Sequence, residues 1–100
     1  MKQNREKWLR AYGSVERVRW IHERPCIVCG RKPSENAHVR SGGMGRKADA
    51  KWIVPLCFNH HNEQHSRGAK TFEQTYGVDL AVEAEAIEKR WQRVLSEEVG

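Results

Sequence analysis

The chain has 100 residues, a formal net charge of +5 and a pI near 9.4. Its apolar fraction is 38% and its mean hydropathy −0.84, values that leave room for one domain with a thin core and exclude a membrane-spanning segment. Three cysteines are an awkward number for a disulfide scaffold, because one would be left over. With no signal peptide, the expected setting is a reducing cytoplasm.

From the N-terminus, Trp8, Tyr12 and Val15 repeat at helical spacing, with Leu9 beside them. Trp8 and Trp20 are expected in the core. Gly13-Ser14 interrupts the run, and Ser14 caps a second helix carrying Val18 and Ile21. Pro25 stops it, because the residue before proline avoids the helical region. Pro25 to Gly30 reads as a tight turn that points Cys26 and Cys29 inward.

Asn36 to Arg40 and Lys51 to Leu56 are strand candidates joined by a long glycine-rich loop, Ser41 to Gly45. A helix follows Cys57 and ends at Arg67-Gly68. Thr71 to Gln74 has the form of a capping box for a short helix that stops near Gly77. Asp79 caps a last helix with the stripe Leu80, Ala84, Ile87, Trp91 and Val94. These elements divide a single α+β domain into N-terminal helices (1–24), a zinc-stapled core (25–68) and C-terminal helices (69–100).

Two groups of metal-ligating residues stand out. Cys26-X-X-Cys29 and Cys57-X-X-His60 share one spacing and make a ligand set suited to a closed tetrahedral structural zinc. Such a site adds its binding energy to the folding of a small domain. His61 and His65 lie four apart, on one helical face, while His60 points away from them. That pair is free for a second ion. Positive charge gathers between Arg31 and Lys51, and acids gather after Glu83. Arg40, Arg46 and Lys47 flank or follow the glycine loop and suit phosphate contacts that position a nucleic acid without reading its sequence. A basic N-terminal helix with Lys2, Arg5, Lys7 and Arg10 adds either affinity for DNA or solubility.

The strand, loop, strand and helix from Cys26 to about Gly68, with His38 on the first strand and His61 and His65 on the helix, resemble the ββα-metal core of HNH endonucleases. The runs Gly42-Gly43-Met44-Gly45, Val54-Pro55-Leu56-Cys57 and His60-His61-Asn62-Glu63-Gln64-His65 are similar to a phage-associated HNH branch. That branch includes the recombination-enhancing nucleases that depend on RecA. Phe72-Glu73 and Tyr76-Gly77 extend the similarity.

The resemblance implies hydrolysis of DNA phosphodiester bonds, with His38 as general base and His61 and His65 holding a catalytic cation, Mg²⁺ or Mn²⁺ in the cell or Zn²⁺ as purified. It implies phage or prophage DNA processing in the cytoplasm of a bacterial host, with DNA as partner and no membrane.

Two positions depart from the family pattern. Ala37 stands where a further metal ligand is common, and Trp52 replaces the middle asparagine. Asp49, the nearest carboxylate in the loop, is assigned as a third metal ligand or a brace for the base, against the alternative of a turn aspartate. The rival expectation is a non-catalytic zinc-finger module that binds nucleic acid. Ala37 and Trp52 favour it, and His38 with the His61–His65 pair opposes it.

Overall fold

A computed structural model describes residues 2–39 and 49–99. The glycine loop, Arg40, Arg46 and Lys47 lie outside the described residues. Helices α1 (Lys2–Tyr12) and α2 (Val15–His22) precede strand β1 (Glu35–His38). A short 3₁₀ turn (Ala50–Trp52) leads into strand β2 (Ile53–Leu56). Helices α3 (Phe58–Arg67), α4 (Ala69–Tyr76) and α5 (Leu80–Val99) complete the chain. The architecture is α+β, with one two-stranded antiparallel sheet among the described residues. Among those residues no helix is long and apolar enough to cross a membrane.

Strand alternation sorts the side chains. Glu35 pairs with Leu56 and His38 with Ile53, so alternate residues of both strands face opposite sides of the sheet. Ala37, Val54 and Leu56 face a core that also holds Val39, Cys26, Cys57, Phe72, Leu80 and Ala84. Ile53 faces the other way, into a smaller cluster with Ile21 and Ile87, against which Tyr12 and Trp20 pack. On that second face Asn36 Nδ2 donates to the Val18 carbonyl at 3.2 Å, which ties β1 to α2.

Several helix ends follow local chemistry. Ser14 accepts from Arg17 N at 3.0 Å and caps α2. Asp79 Oδ1 accepts from Val82 N at 3.1 Å at the start of α5. Gly77 closes α4 with φ of 64°, a left-handed conformation that glycine adopts without strain.

Three expectations change. Helix α4 starts at Ala69 rather than at the Thr71 box: Phe72 N bonds the Gly68 carbonyl at 3.0 Å, so Thr71 already lies inside the helix. Trp52 belongs to the 3₁₀ turn, where Asp49 Oδ1 accepts from Lys51 N at 3.0 Å and caps the turn. Trp8 is 38% exposed, because α1 buries little of its surface. Trp20, by contrast, packs on Trp91 with ring centres 5.3 Å apart.

Arg17 is buried, which its sequence context on a basic helix does not suggest. Its Nη2 donates to Glu88 Oε1 at 2.8 Å, joining α2 to α5.

Candidate metal centres

Cys26 and Cys29 sit on a turn after α2. Gly30 N bonds the Cys26 carbonyl and Cys26 N the Arg31 carbonyl, each at 2.9 Å. Gly30 has φ of 76°, the left-handed value that lets the chain double back. Ile27 N donates to the Pro55 carbonyl at 3.1 Å and docks the turn on β2. Across from it, Cys57 has extended backbone at the N-terminus of α3, and its side chain makes no capping bond. Its sulfur is directed to the other ligands instead.

Cys57 Sγ is 3.2 Å from His60 Nδ1, Cys26 Sγ is 3.7 Å from the same nitrogen, and Cys29 Sγ is 3.8 Å from Cys57 Sγ. All four ligand atoms fall within 4.8 Å of one another. A tetrahedral zinc with its usual bond lengths sets its ligand atoms about 3.6–3.8 Å apart, and the Cys26–His60 and Cys29–Cys57 separations match that spacing. The donor set therefore fits zinc.

Burial pushes the Cys57 thiol up, and Cys29 and Cys26 add to that push. Burial acts to raise Cys26 too, but backbone hydrogen bonds with Cys57, Cys29 and Val28 outweigh it and hold that thiol at about 7. Tyr76 covers the cluster, its ring edge-on to His60 at 5.1 Å. Its hydroxyl donates to Glu63 Oε1 at 2.5 Å, which raises its pKa.

One turn further along α3, His61 and His65 converge. Their Nε2 atoms are 3.2 Å apart. Two imidazoles bound side by side to one ion at about 2.1 Å place their nitrogens about 3.0–3.4 Å apart. The separation of His61 and His65 falls in that range. Glu35 Oε1 lies 2.7 Å from His61 Nδ1.

His38 is half-buried on the sheet face opposite Glu35. Its Nε2 is 2.6 Å from the Ala11 carbonyl at the end of α1, and its ring meets Tyr12 edge-on at 5.0 Å. Its backbone is tied to the histidine helix: buried Gln64 donates from Nε2 to the His38 carbonyl at 3.3 Å. The fold thus brings together Cys26, Cys29, Cys57 and His60 in one group and His61 and His65 in another. Asp49 is not with either group; its carboxylate caps the 3₁₀ turn. Glu35 and Gln64 contact His61 and the His38 backbone, and neither contact is evident from the sequence alone. Strand alternation places Glu35 on the same face as position 37 but does not record its contact with His61.

A family model described as "Protein of unknown function (DUF968)" matches residues 2–93. The chain belongs to the DUF968 family. The matched span contains Cys26, Cys29, Cys57 and His60 as well as His61 and His65. This DUF968 chain is also 35% identical over 79 residues to "Uncharacterized protein YdfU" of Escherichia coli strain K12. The alignment covers 76% of this chain and 21% of that relative, so the chain spans about a fifth of the relative's length. No solved structure matches.

Proposed function

We propose that this DUF968 chain is a metal-dependent endonuclease of HNH type that hydrolyses DNA phosphodiester bonds. In this reading His61 and His65 hold the catalytic cation, and His38 takes the proton from the attacking water. The observation that carries the reading is the convergence of His61 and His65 at 3.2 Å on a helix that is itself bonded to the His38 carbonyl through Gln64. A binding module stapled by the Cys26, Cys29, Cys57 and His60 group alone has no use for that second pair.

A divalent cation held by His61 and His65 would supply Lewis-acid stabilisation of charge on the phosphate and the leaving oxygen. The remaining chemistry belongs to the chain. A carbonyl only accepts hydrogen bonds, so the contact with Ala11 puts the His38 proton on Nε2 and leaves the Nδ1 lone pair as the basic atom. When Nδ1 takes a proton, the Ala11 carbonyl stabilises the imidazolium through the bond it already accepts. Asp49 caps the turn before β2, and Val39 N donates to the Trp52 carbonyl at 2.7 Å, which ties the end of β1 to that turn. Exposed Arg5, Lys7 and Arg10 lie on α1, the helix that supplies Ala11, and give DNA phosphates a basic approach. The HNH resemblance extends the proposal to phage or prophage DNA processing in a bacterial cytoplasm.

One observation favours the rival, a zinc-stapled nucleic-acid-binding module: the His38 ring packs on Tyr12, on the opposite sheet face from Glu35, and Ala37 offers no ligand. Plasmid nicking in Mg²⁺ or Mn²⁺ separates the two. His38→Ala should lower the nicking rate by about 10²-fold or more while zinc content and melting stay unchanged. A His38→Ala variant that nicks at the full rate removes His38 from the mechanism.

A further inference from the structure

Ala37 occupies the strand position where the HNH pattern commonly has a metal ligand, and a methyl group cannot serve. Two residues earlier, on the same face of β1, Glu35 reaches His61 instead, with Oε1 at 2.7 Å from Nδ1. We propose that Glu35 is the positioning residue of the second metal site: it orients His61 through Nδ1 so that Nε2 is presented, unprotonated, beside His65. This proposal rests on reading the His61–His65 pair as a metal site, and it explains how that pair is arranged without a ligand at position 37.

The hydrogen-bond chemistry sets the direction. An ionised carboxylate only accepts, so its contact with Nδ1 requires that nitrogen to carry the proton. The Nε2 lone pair of His61 then faces the Nε2 of His65, 3.2 Å away. A ring flip of His61 would turn Nδ1 away from Glu35 and lose the bond, so the carboxylate fixes both tautomer and ring orientation. A carboxylate behind a ligating imidazole also raises its basicity. The Glu35 side chain is 44% exposed and that of His61 20%, so the contact itself adds little to folding stability. The value of Glu35 therefore lies in arranging the ligand. A plain surface ion pair would have no bearing on metal affinity.

The test uses the full chain with its first zinc in place, titrated with Co²⁺ by calorimetry; the absence of thiolate-to-cobalt absorption verifies that the cysteine site has not exchanged. Glu35→Ala and Glu35→Gln should each weaken the second ion by about 10- to 100-fold, leaving the first zinc and the melting temperature unchanged. Glu35→Asp should recover part of the loss. Nitrogen-15 NMR of the protein without the second ion should find the His61 proton on Nδ1 in the wild type and on Nε2 in Glu35→Ala. Cobalt binding by Glu35→Ala as tight as that of the wild type overturns the proposal, as does a wild-type His61 protonated on Nε2 alone. A wild type that binds no second ion overturns the proposal and the metal site together. None of these readouts needs DNA cleavage, so failure of the nuclease reading is scored separately by nicking.

Discussion

Cys29→Ser separates metal binding from packing as the source of stability. Cys29 is exposed and lies outside both buried clusters, so exchanging sulfur for oxygen opens no core cavity. If packing alone held the domain, the substitution would change stability by no more than about 0.5 kcal/mol. If zinc holds it, the effect is far larger. Apparent zinc-binding energies of structural sites are about 10–16 kcal/mol, and a chain of this size has a net stability of about 5–15 kcal/mol. Losing half of the metal's contribution thus removes at least about 5 kcal/mol, which approaches or exceeds the whole margin. Near this size each kcal/mol moves the melting temperature by about 4–8 °C, so the expected drop is at least about 20 °C, or no cooperative transition at all. Circular dichroism melts, paired with zinc release to a chromogenic chelator, measure both quantities. Chelation of the wild type should reproduce the variant's melt. A Cys29→Ser protein that lacks zinc yet melts within about 4 °C of the wild type would refute the reasoning.

Phe72 is fully buried and stacks on Tyr76 with ring centres 4.9 Å apart; Phe72→Ala should cost about 3–5 kcal/mol in urea unfolding. A loss under about 1 kcal/mol would mean that α4 does not share the core. Glu88→Ala strands the Arg17 charge, whose side chain is 3% exposed, and should cost about 3 kcal/mol. Arg17→Met removes the buried charge along with its partner contact, so it should cost less than Glu88→Ala in the same unfolding assay; the reverse order would contradict the buried-pair reading.

What could be read from the sequence was what the chain decides locally. The zinc ligands come as two short pairs, each closed within a single turn, so spacing and ligand chemistry sufficed to bring Cys26, Cys29, Cys57 and His60 together. The same holds for the Ser14 and Asp79 caps and for His61 and His65, which share a helical face. The capping box at Thr71 misled because Gly68, with φ of 86°, both ends α3 and begins α4. Nothing near Thr71 in the sequence reveals that. Contacts between distant segments were hidden as well. Glu35 meets His61 and Arg17 meets Glu88 only after the sheet and α5 have folded back, and no local period records either meeting. Helical spacing marks the Trp8 stripe without revealing how much of it finds a partner, and Trp8 stays 38% exposed.

The claim at the centre is that one ion holds the fold and a second does chemistry on DNA. It is tested most directly by measuring binding and cleavage of a supercoiled plasmid side by side, using zinc-loaded wild-type protein with and without Mg²⁺ or Mn²⁺. Binding is expected in both conditions, and nicking only when the second cation is supplied. Binding without cleavage in either metal would contradict it and leave a zinc-stapled DNA-binding module.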